Sequence, residues 1–162
     1  GLPVVRCMPN TPALVGAGAT GMAALPGATE ADRALAEQLM RSVGEVAWVA
    51  DDDGLDAVTA LSGSGPAYVF LFLEALIQGG IEQGLDAAQA RQLALATVAG
   101  AARLAAQSED PPAVLRERVT SRGGTTAAAL AVLAGEDVPG AVRRAMKAAK
   151  DRAAELGREF GA

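Results

Sequence analysis

The sequence contains no histidine, a single cysteine and few aromatic residues, and each shortage excludes a class of chemistry. Without histidine, the chain cannot form the Ser-His or Cys-His pairs that activate a nucleophile. One cysteine, Cys7, excludes an internal disulfide framework, and no Cys/His spacing suggests a metal site, so we predict none. We expect Cys7 to be buried as a small hydrophobic side chain.

The chain also lacks a basic surface pattern and a long uninterrupted apolar run. Its 14 Lys and Arg stand against 19 Asp and Glu, which gives a formal charge of −5 over 162 residues. Since nucleic-acid binding needs clustered cations or aromatic platforms, we expect no such partner. The most apolar run, residues 67–73, is far shorter than the ~20 residues of a membrane span. No signal-peptide pattern opens the chain, so we predict a cytoplasmic protein outside the membrane.

Apolar residues make up 51% of the sequence, and their spacing changes near residue 50. The first part mixes strand patterns (4–8, 17–25 and 45–49) with one helical pattern (31–43). From Leu55 onward the patterns indicate only helices, at 55–62, 66–83, 86–107, 111–120, 126–134 and 138–158. The predicted fold class is therefore mainly α, with an α/β piece at 1–53 and a helical domain at 54–162. Residues 67–73 are apolar on nearly every face, which predicts cover by a partner chain.

A glycine pattern at residues 16–21 fits G-x-G-x-x-G, the fingerprint of dinucleotide-binding loops. Such a loop must follow a central strand and open a helix. Here Pro9 and Pro12 precede it, and Pro26 follows only four residues after the motif, so no crossover helix can form. We interpret the segment as a strand of small residues that permits close backbone packing.

Three other stretches combine prolines, glycines and hydroxyl groups. The loop at 6–12 (RCMPNTP) is a rigid loop that can present an amide and a hydroxyl, or a plain strand-to-loop turn. The segment at 61–68 (LSGSGPAY) opens a helix with glycines and a proline, and is either a ligand contact or a close helix crossing. The loop at 119–126 (VTSRGGTT) places two glycines and a cation before a helix, together with the hydroxyls of Ser121, Thr125 and Thr126. This third pattern favours an anion site over ordinary N-capping.

Together these stretches resemble the pyrroline-5-carboxylate reductase family. The resemblance rests on the MPNTP loop, on DAVTALSGSGPAY at 56–68 and on GGTT at 123–126. It implies an N-terminal Rossmann domain followed by an all-helical dimerisation domain, with dimers that can assemble into larger rings. The family's phosphate-binding loop would lie upstream of Gly1, so we expect the chain to be a fragment that is inactive alone.

The resemblance also implies a reaction and a set of site residues. The family reduces the C=N bond of 1-pyrroline-5-carboxylate with NADPH or NADH to give L-proline, the last step of proline biosynthesis. Substrate binding is implied for Asp52, Ser121, Gly123, Gly124, Thr125 and Thr126, and cofactor binding for Met8, Asn10 and Pro66. Thr126 matches the catalytic threonine whose hydroxyl orients the ring nitrogen.

The sequence departs from the family pattern at three positions. Arg122 replaces a proline, Arg118 replaces an uncharged amide side chain, and Asp52 replaces the longer glutamate. Two other functions stay open at this point. One is a non-catalytic helical oligomerisation module, and the other is a related imine or hydroxyacid reductase built on the same Rossmann-plus-helical plan.

Overall fold

The computed structural model describes residues 2–160. Gly1, Gly161 and Ala162, which end the two predicted domains, lie outside the described residues. The first part contains three strands and one helix, which are β1 (Val5–Met8), β2 (Gly18–Ala24), α1 (Glu30–Arg41) and β3 (Gly44–Trp48), with a 3₁₀ turn at Thr11–Val15 between β1 and β2. Each lies within a few residues of its predicted position.

Helices make up the rest of the described chain. They are α2 (Asp52–Val58), α3 (Gly65–Glu82), α4 (Ala87–Gln107), α5 (Pro112–Arg118), α6 (Thr125–Gly135) and α7 (Val138–Phe160), with a π-helical turn at Thr59–Gly63 between α2 and α3. No strand follows β3 among the described residues, so the mainly α fold class is confirmed. The π-helical turn was not predicted, because the sequence pattern there fits a continuous α-helix over 55–62.

The small sheet is centred on β2, which pairs antiparallel with β1 and parallel with β3. Met22 and Ala23 of β2 are almost fully buried. Gly21 lets α2 approach closely, since a Cβ there would lie 2.5 Å from methyl groups of Val58. The prediction of a small-residue strand at this glycine pattern is confirmed. The burial predicted for Cys7 is wrong, because β1 is an edge strand and the thiol stays exposed.

Side-chain caps fix where several helices begin. Thr29 and Asp32 form a reciprocal capping box at the start of α1, and Asp86 and Gln89 form another at the start of α4. Asp51 caps α2 by accepting a hydrogen bond from the amide of Gly54 at 3.0 Å. These contacts satisfy amides that a helix start leaves open. With Asp51 as its cap, α2 begins at Asp52, three residues earlier than predicted.

The chain divides into two compact units. One contains the residues up to 68 together with those from 142, and the other contains residues 69–141. The predicted domain boundary between residues 53 and 54 stays a prediction. In the second unit, buried side chains are small, as at Ala90 and Ala94, whereas Phe70 and Leu71 are 57% and 68% exposed. An apolar surface of this kind is typical of an interface.

The helical stretch Asp52–Glu82 is long and apolar enough to cross a membrane by length and composition alone. The sequence prediction rested only on the uninterrupted apolar run at 67–73. It missed the longer stretch, because α2, the π-helical turn and α3 follow one another as one helical segment. A helix that packs against other protein surfaces in a soluble assembly passes the same test. The expectation that the chain stays outside the membrane is therefore still a prediction.

Candidate functional site

The loop after β1 is held in place by the side chain of Asn10. Its Oδ1 accepts a hydrogen bond from the amide of Ala19 at 2.9 Å, and its Nδ2 donates one to the carbonyl of Ser62 at 3.0 Å. The same side chain makes no capping bond to the 3₁₀ turn that follows it. Asn10 thus ties the loop both to the start of β2 and to the π-helical turn.

The π-helical turn itself is crossed by several further hydrogen bonds. The amide of Ser64 donates to the carbonyl of Thr59 at 2.8 Å, a bond that spans five residues. The Thr59 hydroxyl donates to the carbonyl of Leu55 at 2.8 Å, and the Tyr68 hydroxyl donates to the carbonyl of Ala60 at 3.2 Å. π-Helical turns are rare and frequently occur at functional sites.

Met8 and Pro66, both predicted to bind cofactor, flank this turn. A Cβ at Gly63 would lie 2.7 Å from Cε of Met8, so the absence of a side chain at Gly63 is what admits the methionine. Pro66 is the second residue of α3 and is half-buried. A Cβ at Gly65 would meet nothing within 4 Å, which leaves open space beside the proline. The structure therefore brings Met8, Asn10 and the segment before Pro66 into one cluster.

Asp52, predicted to bind substrate, lies in the first turn of α2 and is exposed. It forms an ion pair with Arg6, with 2.5 Å between the guanidinium and the carboxylate. The neighbouring Asp53 pairs with Lys150, and this hydrogen bond raises the pKa of the Lys150 ammonium group. Each of the two carboxylates is paired with a cationic side chain in this structure, so the negative charge of Asp52 is already partly compensated by Arg6.

The second predicted region is the loop between α5 and α6, in the other compact unit. The Thr120 hydroxyl donates to the carbonyl of Arg116 at 2.6 Å and continues the end of α5. The amide of Gly124 then donates to the carbonyl of Ser121 at 3.0 Å, which closes a tight turn. Gly123 lies in this turn with φ +72°, a left-handed conformation that favours glycine.

The first turn of α6 has no side-chain cap. Gly124 occupies the capping position and offers no side chain. Within residues 2–160, the hydroxyls of Ser121, Thr125 and Thr126 make no hydrogen bond to another part of the chain. The Ser121 hydroxyl lies where a Cβ at Gly124 would clash with it. Open amides and free hydroxyls thus meet at the positive end of the helix dipole, an arrangement that suits an anion.

The two arginines that depart from the family pattern behave differently. Arg118, the last residue of α5, forms an ion pair with Asp110. Asp110 is held in turn by a bond from its amide to the Ser108 hydroxyl at 3.1 Å. Arg122 has no ion-pair partner in the described part of the chain. Its exposed guanidinium therefore adds a positive charge to the loop that no carboxylate of the described residues neutralises.

The structure groups the predicted residues into two sets. Asp52, Met8, Asn10 and Pro66 lie in the first compact unit, and the residues of the 121–126 loop lie in the second. Sequence reasoning missed the two side-chain bonds of Asn10 and the role of Tyr68. The absent amide hydrogen of Pro66 was a signal for one of these bonds, that from Asn10 to Ser62, since it leaves the Ser62 carbonyl without its helical donor.

Comparison with known proteins gives a consistent result. A family model described as pyrroline-5-carboxylate reductase dimerisation matches residues 52–156. A pyrroline-5-carboxylate reductase of Pseudomonas aeruginosa is 46% identical over 159 residues, which are 98% of this chain and 58% of the relative. One from Pisum sativum is 47% identical over 94% of the chain and 55% of the relative. The chain thus spans somewhat more than half the length of the curated relatives it matches.

Solved structures agree in fold. A pyrroline-5-carboxylate reductase from Coxiella burnetii superimposes with a TM-score of 0.92 at 45% identity, and the match covers 95% of this chain and 57% of that one. A pyrroline carboxylate reductase from Plasmodium falciparum, solved with NADP bound, gives a TM-score of 0.89 at 33% identity, with 94% and 62% covered.

Proposed function

This chain belongs to the pyrroline-5-carboxylate reductase family, and from this we propose that the gene product containing it reduces 1-pyrroline-5-carboxylate to L-proline. The observation that carries the proposal is the uncapped start of α6, where three hydroxyls have no partner within the described residues. An ordinary N-cap needs one such residue, so three free hydroxyls favour an anion site over a purely structural module.

We propose that the 121–126 loop binds the substrate carboxylate. Ser121 and Thr125 supply hydroxyl donors, and the amides at the start of α6 add backbone donors. Gly123 and Gly124 allow the turn and keep the anion position free of side chains. The unpaired Arg122 attracts the carboxylate electrostatically, and this can offset the loss of the rigid proline that the family usually has there.

Thr126, one residue further into α6, is the proposed catalytic residue. When bound, the nicotinamide cofactor supplies a hydride, which brings two electrons to the imine carbon. The π-electron pair of the C=N bond then moves to the ring nitrogen, which takes up one proton from solvent. We propose that the Thr126 hydroxyl forms a hydrogen bond with this nitrogen and holds the imine in the reactive orientation.

We propose that Met8, Asn10 and Pro66 lie at the nicotinamide end of NADPH or NADH. The open space beside Gly65 and the turn that Asn10 holds in front of Pro66 support this position. The glycines at 16–21 do not fit the pyrophosphate, because Gly18–Ala24 is a strand and the next helix, α1, begins only at Glu30, so no helix start follows these glycines directly. The remaining cofactor contacts therefore come from parts of the gene product outside this chain. Asp52 is proposed to face the substrate while still paired with Arg6.

We propose that two copies of the chain form a homodimer through the apolar surface of the second unit, and that dimers can assemble into rings. The match to a dimerisation family and the exposure of Phe70 and Leu71 support this assembly. It would also cover the apolar residues of α3 in the second unit without a membrane, and we propose a cytoplasmic location. Because the chain spans only part of its relatives, we propose that it dimerises alone but does not catalyse.

Two measurements test these proposals. The complete gene product should oxidise NADPH when 1-pyrroline-5-carboxylate is added, and should leave hydroxyacids and their keto acids unchanged. The absence of pyrroline-5-carboxylate turnover would refute the proposed reaction. For the 162-residue chain alone, light scattering should give the mass of a dimer, and a proline titration should raise its melting temperature. A monomer that does not respond to proline would refute the proposal that dimer and carboxylate loop form in this chain alone.

A further inference from the structure

The π-helical turn leaves two backbone carbonyls without the donors that an α-helix would provide. The carbonyl of Ser62 would accept from the amide of residue 66, but Pro66 has no amide hydrogen. The carbonyl of Ala60 would accept from the amide of Ser64, but that amide donates to Thr59 instead. Buried carbonyls without a partner are costly, and Ala60 is only 3% exposed.

Two side chains supply the missing donors. Nδ2 of Asn10 donates to the Ser62 carbonyl at 3.0 Å, and the Tyr68 hydroxyl donates to the Ala60 carbonyl at 3.2 Å. Asn10 lies 52 residues before Ser62 in the sequence, so its bond connects the β1 loop to the turn. Tyr68 lies within α3 and connects the turn to the helix that follows.

We infer that Asn10 and Tyr68 are positioning residues that together fix the π-helical turn, and through it Met8 and Pro66. This inference deepens the proposed function, on which its catalytic part rests. Nδ2 and Oδ1 of Asn10 each make one hydrogen bond within the chain, and through these bonds Asn10 contributes to cofactor binding by holding the turn. Met8 is held against the same turn, since its methyl group occupies the space above Gly63.

Asn10→Asp is the sharpest test of this role. The substitution keeps the size and the acceptor for the Ala19 amide, and replaces the donor facing Ser62 with an acceptor. In the complete gene product we expect the KM for NADPH to rise about tenfold, because the Ser62 carbonyl loses its donor and faces an acceptor instead. The KM for 1-pyrroline-5-carboxylate should change less than about twofold. Tyr68→Phe, which removes only the hydroxyl, should produce the same pattern with a smaller change.

The double variant distinguishes positioning from direct contact. If both side chains hold one turn, the combined effect on kcat/KM should be clearly smaller than the product of the single effects. Effects that multiply, or a Tyr68→Phe variant with unchanged kinetics, would overturn the inference. Thr29→Ala is the matched control, because it removes a cap of α1 in the same unit and should leave both KM values unchanged.

Hydrogen exchange tests the structural part without relying on any activity. In the complete gene product, peptides covering residues 59–68 should exchange faster in Asn10→Asp and in Tyr68→Phe than in the parent, and the Thr29→Ala control should not accelerate them. Unchanged protection in both variants would refute the role of the two side chains. If the parent protein proves not to be a reductase, this measurement still decides whether Asn10 and Tyr68 fix the turn.

Discussion

The π-helical turn at 59–63 and the hydroxyl loop at 121–126 are both short interruptions between helices, but they treat their polar groups in opposite ways. In the turn, the carbonyls of Ala60 and Ser62 receive donors from side chains of Tyr68 and Asn10. In the loop, the hydroxyls of Thr125 and Thr126 find no acceptor within the described chain, and the first turn of α6 is uncapped.

This difference separates positioning from binding. A turn whose polar groups are satisfied internally has one favoured geometry and little left to offer a ligand. A loop with free donors relies on water when empty and exchanges that water for an anion when the ligand binds. Substitutions in the loop should therefore change kcat and the affinity for the substrate, whereas substitutions in the turn should mainly change the affinity for the cofactor.

Thr126→Ala should give the largest effect. Removing a donor that acts on the reacting nitrogen should lower kcat about 100-fold, a typical loss for one oriented catalytic hydrogen bond. The dimer should be retained, because Thr126 makes no hydrogen bond within residues 2–160. Steady-state kinetics and light scattering on the complete gene product measure both quantities.

The matched control is Thr120→Ala, one residue before the loop. Its hydroxyl is already bonded to the Arg116 carbonyl, so the substitution should lower thermal stability slightly and leave kcat within about twofold. Near-parental turnover of Thr126→Ala would remove Thr126 from the mechanism. An equal loss of turnover in both variants would indicate that the loop as a whole had been disturbed.

Gly124→Asp should give the second largest effect, on substrate affinity. A Cβ at Gly124 clashes with the Ser121 hydroxyl, and the added carboxylate repels the substrate anion. We expect the KM for 1-pyrroline-5-carboxylate to rise more than about tenfold. Gly124→Ala separates the two causes, since it keeps the clash but adds no charge, and it should raise this KM less. An unchanged KM in Gly124→Asp would place the carboxylate elsewhere.

Gly63→Ala tests the turn and should have a smaller effect. Its Cβ would lie 2.7 Å from the end of the Met8 side chain, which is flexible and can move. We expect a rise of about threefold in the KM for NADPH, with the substrate KM unchanged. Gly157→Ala in α7 is the control, because its Cβ would meet nothing within 4 Å and should stabilise the helix. A change in substrate KM alone would contradict the division of roles between turn and loop.

The elements of the fold were largely predictable, because apolar spacing and caps act locally. The period-2 pattern at 45–49 and the acidic run at 51–53 located β3 and the start of α2 to within a few residues. The glycine pattern at 16–21 could be assigned to a strand, which begins at Gly18, because Pro26 left no room for a helix directly after it.

The partners of individual side chains were not predictable, because they depend on contacts between distant residues. Asn10 bonds to Ser62, 52 residues away, and no local pattern encodes that pairing. The ion pair between Asp52 and Arg6 is also non-local. Cys7 was misjudged for the same reason, since burial on an edge strand depends on what covers it. Motif resemblance identified the loop at 121–126, but only the structure showed that its hydroxyls are free within the described chain.

The smallest predicted effect is on stability and concerns a residue outside both the turn and the loop. It tests whether changes in kinetics are confined to those two regions. On α1, Glu37 accepts a hydrogen bond from the Trp48 indole at 2.7 Å and another from Arg41 at 2.8 Å. These bonds, that from Trp48 first, lower the pKa of the Glu37 carboxyl below its ordinary value of 4.5. A lowered pKa means that the stabilisation is present above pH 4.5 and is lost as the pH falls through the folded-state value.

We therefore expect Glu37→Gln to unfold slightly more easily than the parent at neutral pH, with the difference shrinking as the pH falls below about 4.5. Fluorescence of Trp48, the single tryptophan of the chain, can follow unfolding in denaturant at each pH. In the complete gene product, kcat and both KM values should not change, because Glu37 belongs to neither the turn nor the loop. A stability difference that stays constant down to low pH would show that the carboxylate charge is not what Trp48 and Arg41 stabilise. A change in either KM would mean that surface pairs on α1 reach the site, and that the contrast between turn and loop does not isolate its determinants.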